Sequence, residues 1–378
     1  MIGKNIKQPN GFNAFIPDPF PDKGLYTLAS PIVKKDAQAS RLLGKLDGIT
    51  QLLPDVNFFI YMYVRKDATA SSQIEGTKAS MTDAIEAVVK IENKKSSDVD
   101  DILHYIKALD YGLDRLKEFP LSLRFIREIH QKLMKGARAS HFSDPGNFRR
   151  SQNWINGKSP SDAEFVPPPV DAMMTALGDF EKFLHSEDAI PPLVKTAIIH
   201  AQFETIHPFL DGNGRTGRML IAFYLWKEGL LEKLVLYLSS YFKKYKKVYY
   251  QRLTDYREGR EEKWIEFFLD GIIETAESAI ETAKKITQLR EQDIAKISKM
   301  NKTSSESAML ILPKLFVQPI VTVAIVKSWA GFNTRAGTQK LIDRFVSAGI
   351  LEIKDDKVKY NKVYVYRRYL DIFEKSLT

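Results

Sequence analysis

His207-Pro208-Phe209-Leu210-Asp211-Gly212-Asn213-Gly214-Arg215-Thr216-Gly217-Arg218 gathers an imidazole, a carboxylate, two guanidiniums and three glycines into one short stretch. Pro208 has no amide proton and disfavours helical geometry at His207, so a helix arriving from Ala197 should stop there. A new apolar-periodic run begins at about Asn213, continues through Met219, Ile221, Ala222, Phe223 and Leu225, and meets Gly229 as its stop. The loop therefore feeds its glycines into a helix N-terminus, where free amides and the positive dipole end favour an anion. Gly212 and Gly214 permit close backbone approach and positive φ, as a nest of amides around phosphate oxygens requires. Arg215 and Arg218, three apart, both reach that anion. Asp211 offers the hard oxygen that Mg²⁺ takes beside phosphates. His207 supplies a base whose ordinary pKa lies near working pH. The residues read as a nucleotide-phosphate site with a metal and a general base.

Composition places limits on the rest. The chain has 378 residues, 44% apolar and 27% charged, as in ordinary soluble globular proteins, and its length allows two or three domains. Its net charge of +9 and pI near 9.2 are mildly basic, below the profile of a dedicated nucleic-acid binder. The excess is uneven, with 12 basic and 7 acidic residues from Ser305 to Thr378. There is no cysteine, which excludes disulfides and thiolate metal sites and fits a reducing cytoplasm. Met1 to Phe20 shows no apolar run of a leader, and nothing reaches the ~20 apolar residues of a membrane span. The expectation is a cytoplasmic protein with no membrane partner.

Helical periodicity dominates the chain. Residues 1–30, rich in Pro, Gly and Asn, read as an extended lead-in. Helical runs follow from Ile32 to Leu53 and from beyond Pro54 to Gly76. Another opens at Ser80, with Ser80 and Asp83 as a capping box, and extends through Ile91. A polar connection covers Asn93 to Val99. Further runs cover 100–118, 121–136, 170–185, 189–206, 213–228, 241–257 and about 261–299. The body is an α-bundle. Between Gly146 and Val170, Asn147 to Ile155 and Ala163 to Pro167 flank a polar turn at Asn156-Gly157 and read as a β-hairpin. Residues 296–308 read as a linker or fraying end. Beyond it come a helix at 321–330, a turn at Gly331-Phe332-Asn333, a helix from Thr334 to Gly349, and strands at 350–353 and 358–367. His200, seven residues before His207 on the same helix, reads as a core histidine.

The 207–218 stretch matches every fixed position of the Fic signature, His-x-Phe-x-Asp/Glu-Gly-Asn-Gly-Arg-x-x-Arg, and the chain resembles that family of protein adenylyltransferases. The resemblance implies a mainly α fold: a Fic-type helical bundle with a small β-hairpin flap, plus a C-terminal winged-helix α+β domain. Its domains would be 1–118, 119–295 (flap at about 146–170) and 305–378. It implies transfer of AMP from ATP to a Tyr, Ser or Thr hydroxyl of another protein, with self-modification as a further outcome. His207 would deprotonate the hydroxyl and Asp211 would hold Mg²⁺. Gly212, Asn213 and Gly214 would cradle the phosphates, Arg215 would neutralise them, and Arg218 would face the γ-phosphate. Tyr250, Leu253 and Arg257 would lie near adenine and ribose.

Ser71-Ser72-Gln73-Ile74-Glu75-Gly76 resembles the inhibitory motif of the class that carries it N-terminal to the core. Ser71 and Glu75, four apart, share a helix face. Glu75 is expected to pair with Arg218 and fill the γ-phosphate volume. The flap would dock the target by strand addition, with Trp154 and Ile155 as its docking face. Were the tail to bind DNA, Arg335, Gln339, Lys340 and Arg344 would face the groove, with Lys357 and Lys359 on the wing; a protein-docking or homodimerising role is the other reading. Phosphate transfer in the manner of a Doc-like variant, removal of AMP, and a nucleotide-sensing DNA-binding regulator are the alternatives.

Overall fold

The structure, a computed structural model, describes residues 2–19, 28–51, 53, 56–89, 97–136, 144–187, 189–330, 334–355, 357 and 361–374. The first residues are not the extended lead-in expected from their composition. β1 (Gly3–Lys7) and β2 (Asn13–Pro17) pair antiparallel with Asn5 opposite Phe15. Ala14 and Phe15 are buried, and the Phe15 N–H donates to Val166 O at 2.9 Å, so contact with the body overrides the turn-rich composition.

Helices follow: α1 (Ser30–Gln51), α2 (Val56–Ile74), α3 (Met81–Val89), α4 (Ser97–Leu116) and α5 (Leu123–Met134). The capping box before α3 is reciprocal, since the Ser80 N–H donates to Asp83 Oδ2 at 2.8 Å and the Asp83 N–H to Ser80 Oγ at 3.1 Å. Of the polar connection, residues 93–96 lie outside the described residues. Then come α6 (Val170–Leu184), α7 (Pro192–Ile206), α8 (Asn213–Lys227), α9 (Ser239–Lys244), α10 (Lys246–Arg257) and α11 (Glu261–Ser298). The single helix expected over 241–257 is two. Tyr245 leaves helical geometry at φ −107° and ψ 35°, packs its ring on Tyr241 and donates its hydroxyl to Glu274.

Every α7 residue from Leu193 to Ile206 is buried, and so is most of α8, because these two helices run through the middle of the bundle. Trp264 of α11 seals one side of α7 by donating its indole N–H to Ala197 O at 2.8 Å. The core position of α7 explains why its few polar side chains, His200 and Glu204 among them, are also buried.

The linker expected at 296–308 is a brief break. Asn301 caps α12 (Lys302–Val317) by accepting the Ser304 N–H at 3.1 Å. The Ser/Thr run that reads as linker is thus a helix start. β3 (Ile320–Thr322), α13 (Val323–Ala330), α14 (Arg335–Ser347), β4 (Glu352–Ile353), β5 (Val363–Val365) and α15 (Arg367–Glu374) complete the tail. The strands form an antiparallel sheet ordered β3-β5-β4, shorter than expected, and α15 takes residues 367–374, its first residue at the end of the expected second strand. The turn at 331–333 and residues 358–360 lie outside the described residues. Buried Asp293 of α11 bolts the tail on: it accepts from the Tyr366 hydroxyl and from Arg368 Nη1 at 2.6 Å.

Candidate active site

The loop between α7 and α8 is held from three directions. α7 stops at His207, which takes left-handed geometry (φ 48°, ψ 61°) as Pro208 demands of its predecessor an exit from the helix. Asn213 clamps the loop internally: its Oδ1 accepts the Phe209 N–H and its Nδ2 donates to Phe209 O, both at 2.8 Å. These bonds commit the Asn213 side chain to the turn and leave its main-chain N–H at the helix start. Gly212 sits at φ 77°, a conformation other side chains resist. Gly214 is helical and does not need positive φ. Its missing Cβ matters for space, because a Cβ there would lie 2.4 Å from Glu75 Oε1.

Two residues that sequence reasoning missed supply the outer clamps. His130 of α5 stacks on Phe209 at 3.7 Å, and its Nδ1 accepts the Gly146 N–H at 2.9 Å. Nε2 therefore carries the proton and donates to Asp211 O at 2.9 Å. Burial pushes this imidazole down to about 4, so it stays neutral. Arg149, buried, donates Nε to His207 O at 3.0 Å and Nη1 to Ser151 O at 3.2 Å, while its own N–H donates to Pro208 O at 2.9 Å. A lone histidine and a lone arginine carry no local pattern. The only signal is that each precedes or sits in the irregular segment facing the loop.

The loop opens into a helix start with unengaged amides. The first α8 hydrogen bond, from Thr216 N–H to Gly212 O at 3.0 Å, leaves the Asn213, Gly214 and Arg215 amides ahead of it. Arg215 is buried, 3.8 Å from Asp101 Oδ1 and 3.8 Å from Asp211 Oδ2. Asp211 keeps a half-exposed carboxylate whose Oδ1 accepts the Gly212 N–H at 2.7 Å. Among the described residues no cluster of three or more His, Asp or Glu could cage a metal.

Arg218 is engaged by the segment that ends α2. Its Nε donates to Ser71 Oγ at 2.9 Å, and its Nη2 to Ser71 O at 3.1 Å and to Glu75 Oε1 at 2.7 Å. The sequence-predicted trio of Ser71, Glu75 and Arg218 is therefore brought together. Gly76, at φ 96°, lets the chain leave α2 directly after Glu75. Burial opposes charge on Glu75, but the charge and hydrogen bond of Arg218 outweigh it and hold the carboxyl below its usual value. Burial likewise opposes charge on Arg218, and Glu75 overrides it to raise the guanidinium.

His207 stands behind this anion site with its side chain 17% exposed. Burial first, then the Arg257 and Arg149 guanidiniums, push its imidazole down to about 3, against weaker lifts from the Glu204 main chain and Glu75. It is a neutral base at physiological pH. His200 is a core histidine as expected, bonded to Gly217 O at 3.0 Å and to the Tyr249 hydroxyl at 2.9 Å.

Of the residues expected at the base, Tyr250 is exposed with its ring 5.2 Å from that of Tyr249, and Leu253 is buried. Arg257 lies over the Phe165 ring at 3.7 Å and reaches Thr205 Oγ1 at 3.4 Å. A cavity of about 460 Å³ opens beside it, between the β1–β2 hairpin, Glu164-Phe165-Val166 and Thr254. The expected flap hairpin is reduced to one bridge, Ile155 to Phe165, because Pro167-Pro168-Pro169 offers no amides to extend the ladder. Trp154 is 39% exposed and Ile155 half-buried. In the tail, Gln339 donates to Asp343 and to the Tyr364 hydroxyl, and Arg344 to Ser304. Of the expected groove-facing set only Arg335 and Lys340 are exposed without such bonds, and Lys357 of the expected wing is exposed. Lys359 lies outside the described residues. No described helix is long and apolar enough to cross a membrane.

Known proteins resemble this chain in sequence and in fold. The Fic/DOC family model matches residues 120–225, and the Fic/DOC family N-terminal model residues 33–114. A probable protein adenylyltransferase of Aquifex aeolicus (strain VF5) is 32% identical over 190 residues, covering 49% of this chain and 54% of that protein. The protein adenylyltransferase Fic of Drosophila grimshawi is 30% identical over 165 residues, 41% of this chain and 32% of that protein. The chain thus spans about a third to a half of these relatives. Two solved structures share the fold. A Fic family protein from Desulfovibrio desulfuricans G20 has a TM-score of 0.59 at 18% identity, over 90% of this chain and 97% of that one. A Fic domain containing signaling protein from Bacteroides thetaiotaomicron VPI-5482 has a TM-score of 0.54 at 17% identity, over 65% and 97%.

Proposed function

This chain belongs to the Fic/DOC family, and from that premise we propose that it is a self-inhibited protein adenylyltransferase. The observation that carries the proposal is the juxtaposition of a neutral His207 with the open amides of α8 and two buried guanidiniums, Arg215 and Arg218. ATP is the co-substrate of this reading, and a hydroxyl side chain of a protein, or of the chain itself, is the acceptor. His207 Nε2 takes the hydroxyl proton, the freed oxygen bonds to the α-phosphorus, the bond between that phosphorus and the bridging oxygen breaks, and pyrophosphate leaves. The Asn213–Arg215 amides and the Arg215 guanidinium hold the phosphates while charge shifts to the leaving group.

Asp211 fits a magnesium ion that arrives with the triphosphate, since one half-exposed carboxylate plus phosphates and water is how Mg²⁺ is usually held. When bound, such an ion supplies charge neutralisation at the phosphates. Trp154 and Ile155 present the segment on which a target strand would pair, and Tyr250 and Arg257 border the space for the base. A reducing cytoplasm is the compartment that suits this reading, and the tail, with Gln339 and Arg344 engaged internally, suits a protein-docking role better than a DNA groove.

Inhibition comes from competition. Glu75 occupies Arg218, the guanidinium that a γ-phosphate would need, so triphosphate and carboxylate exclude one another. The experiment is incubation of wild type and Glu75→Gly with ATP labelled at the α- or the γ-phosphate. Retention of α-label alone, stronger in the variant, is expected; retention of γ-label would make the chain a phosphotransferase.

A further inference from the structure

Behind the catalytic imidazole lies a second carboxylate. Glu204 sits in the last turn of α7, three residues before His207, and its side chain is 7% exposed. Because His207 turns left-handed, its ring folds back over that turn, and Nδ1 comes within 3.9 Å of Glu204 Oε2. Glu204 Oε1 and His207 Nδ1 are both buried with no hydrogen-bond partner in geometry, although the Glu204 main-chain carbonyl also favours a proton on the ring. A space has been made for this carboxylate. Gly217 of α8 faces it, and a Cβ there would lie 2.7 Å from Oε1. A buried carboxylate that served only packing would have its oxygens satisfied, as the buried Asp67 has by the Tyr105 hydroxyl and the Ser239 N–H.

We propose that Glu204 is the positioning carboxylate of the catalytic imidazole, keeping the ring proton on Nδ1 so that Nε2 faces the acceptor hydroxyl, and stabilising the imidazolium once it forms. The inference rests on the adenylyltransferase reading above. During transfer the hydroxyl proton moves to Nε2 and the Nδ1 proton stays on the ring, shared towards Oε2. Glu204 gains no proton, the acceptor oxygen bonds to the α-phosphorus, and pyrophosphate departs with the electron pair of the broken bond. A side-chain adjustment of under an ångström, or one bridging water, closes 3.9 Å to hydrogen-bond range.

The surroundings make such a partner necessary. Burial disfavours a charged His207, and Arg257 of α10 and Arg149 of the irregular segment add repulsion. Glu75, beyond α2, is the other carboxylate near enough to help, but it is tied to Arg218 of α8. Glu204 feels burial first, which lifts its carboxyl to about 7, against the pull of Arg218 and Arg257 and with a further lift from Glu75; Tyr249 of α10 also faces it. An imidazolium forming 3.9 Å away favours the carboxylate, and the carboxylate favours the imidazolium, so the two charges support one another.

The test compares Glu75→Gly with the double variant Glu75→Gly/Glu204→Gln, which preserves shape and removes charge. The expected result is a kcat for α-label transfer lower by about 10- to 100-fold, KM for ATP within about twofold, and an acid limb of the pH–rate profile displaced to lower pH. Glu204→Asp, which keeps the carboxylate, should recover part of the rate. NMR of the His207 ring nitrogens above pH 7, where Glu204 is ionised, reads the same coupling without activity: the Nδ1-protonated tautomer should dominate in the parent and lose population in the Gln variant. Equal kcat and pH profile in the two proteins, or an unchanged His207 tautomer balance, overturns the proposal. If the Glu75→Gly parent itself fails to label, the adenylyltransferase reading is what has failed, and the tautomer balance still decides Glu204. Should the Gln variant melt early, the Asp variant carries both readouts, and loss of the Nδ1-protonated tautomer with no retained transfer would overturn the role.

Discussion

Replacing Glu75 by glycine removes one carboxylate from a contact whose parts can be weighed. Its Oε1 lies 2.7 Å from Arg218 Nη2, and the two side chains are 39% and 2% exposed. Opposite charges 4 Å apart are worth roughly 4 kcal/mol at an effective dielectric of 20. Water on the open side of Glu75 reduces that, and charge-assisted hydrogen bonds measured by substitution are worth about 1.5–3 kcal/mol. About 2 kcal/mol is then the free energy an incoming triphosphate must overcome to claim Arg218, equivalent to roughly 30-fold in apparent affinity. Ser71 keeps its two contacts to the guanidinium, so Arg218 is not abandoned in the core. Position 75 follows the end of α2 and precedes Gly76, so glycine there breaks no helical interior. The assay is the initial rate of α-label incorporation at ATP below saturation. A rise of tenfold or more over wild type is expected, shrinking as ATP saturates. Equal rates at matched ATP and Mg²⁺ would refute the competition.

Other consequences follow from the same contacts. Ser71→Ala removes the Oγ contact to Arg218 Nε but leaves Glu75 in place, so labelling should rise by about two- to fivefold only; a rise equal to that of Glu75→Gly would move the latch to Ser71. His207→Ala should abolish transfer while leaving the thermal midpoint within a few degrees, read by label incorporation and calorimetry. Arg149→Met takes three guanidinium donors from main-chain carbonyls of the loop and flap, and should lower stability by about 2–4 kcal/mol in denaturant unfolding. His130 is held neutral in the fold at about 4 against an ordinary 6.5. The unfolded chain therefore binds its proton first on acidification, and this contribution, complete above about pH 6.5, is lost as pH falls towards 4. The stability difference between wild type and His130→Asn should narrow over that window.

The loop at 207–218 was legible as a helix stop and start because its signals are contiguous: Pro208 marks the stop, and Gly212, Arg215 and Arg218 mark the next start. The Glu75–Arg218 pair, 143 residues apart in sequence, was reachable only through the resemblance of Ser71–Gly76 to a known motif. His130, Arg149, Asp101 and Glu204 were not legible, since each acts through a tertiary contact that no local spacing announces. The first β-hairpin was misread for a related reason. Its Pro and Asn content signals turns, while the bond from Phe15 to Val166 that orders it comes from the segment just before α6, far along the chain. The start of α12 shows the opposite ambiguity, because a Ser/Thr run serves a linker and a helix cap equally well until Asn301 is seen accepting Ser304 N–H. The resemblance places Leu253 near the base, and the structure buries its side chain beside the exposed Tyr250.

Intact-protein mass spectrometry of the Glu75→Gly chain after incubation with Mg²⁺ and ATP, beside the same chain carrying His207→Ala, addresses the central claim most directly. The account predicts a mass gain of one adenylate or whole multiples of it, on the chain or on an added protein acceptor, that vanishes without the imidazole. A gain of one phosphate, no gain at all, or an adenylate that persists in the His207→Ala background would contradict it.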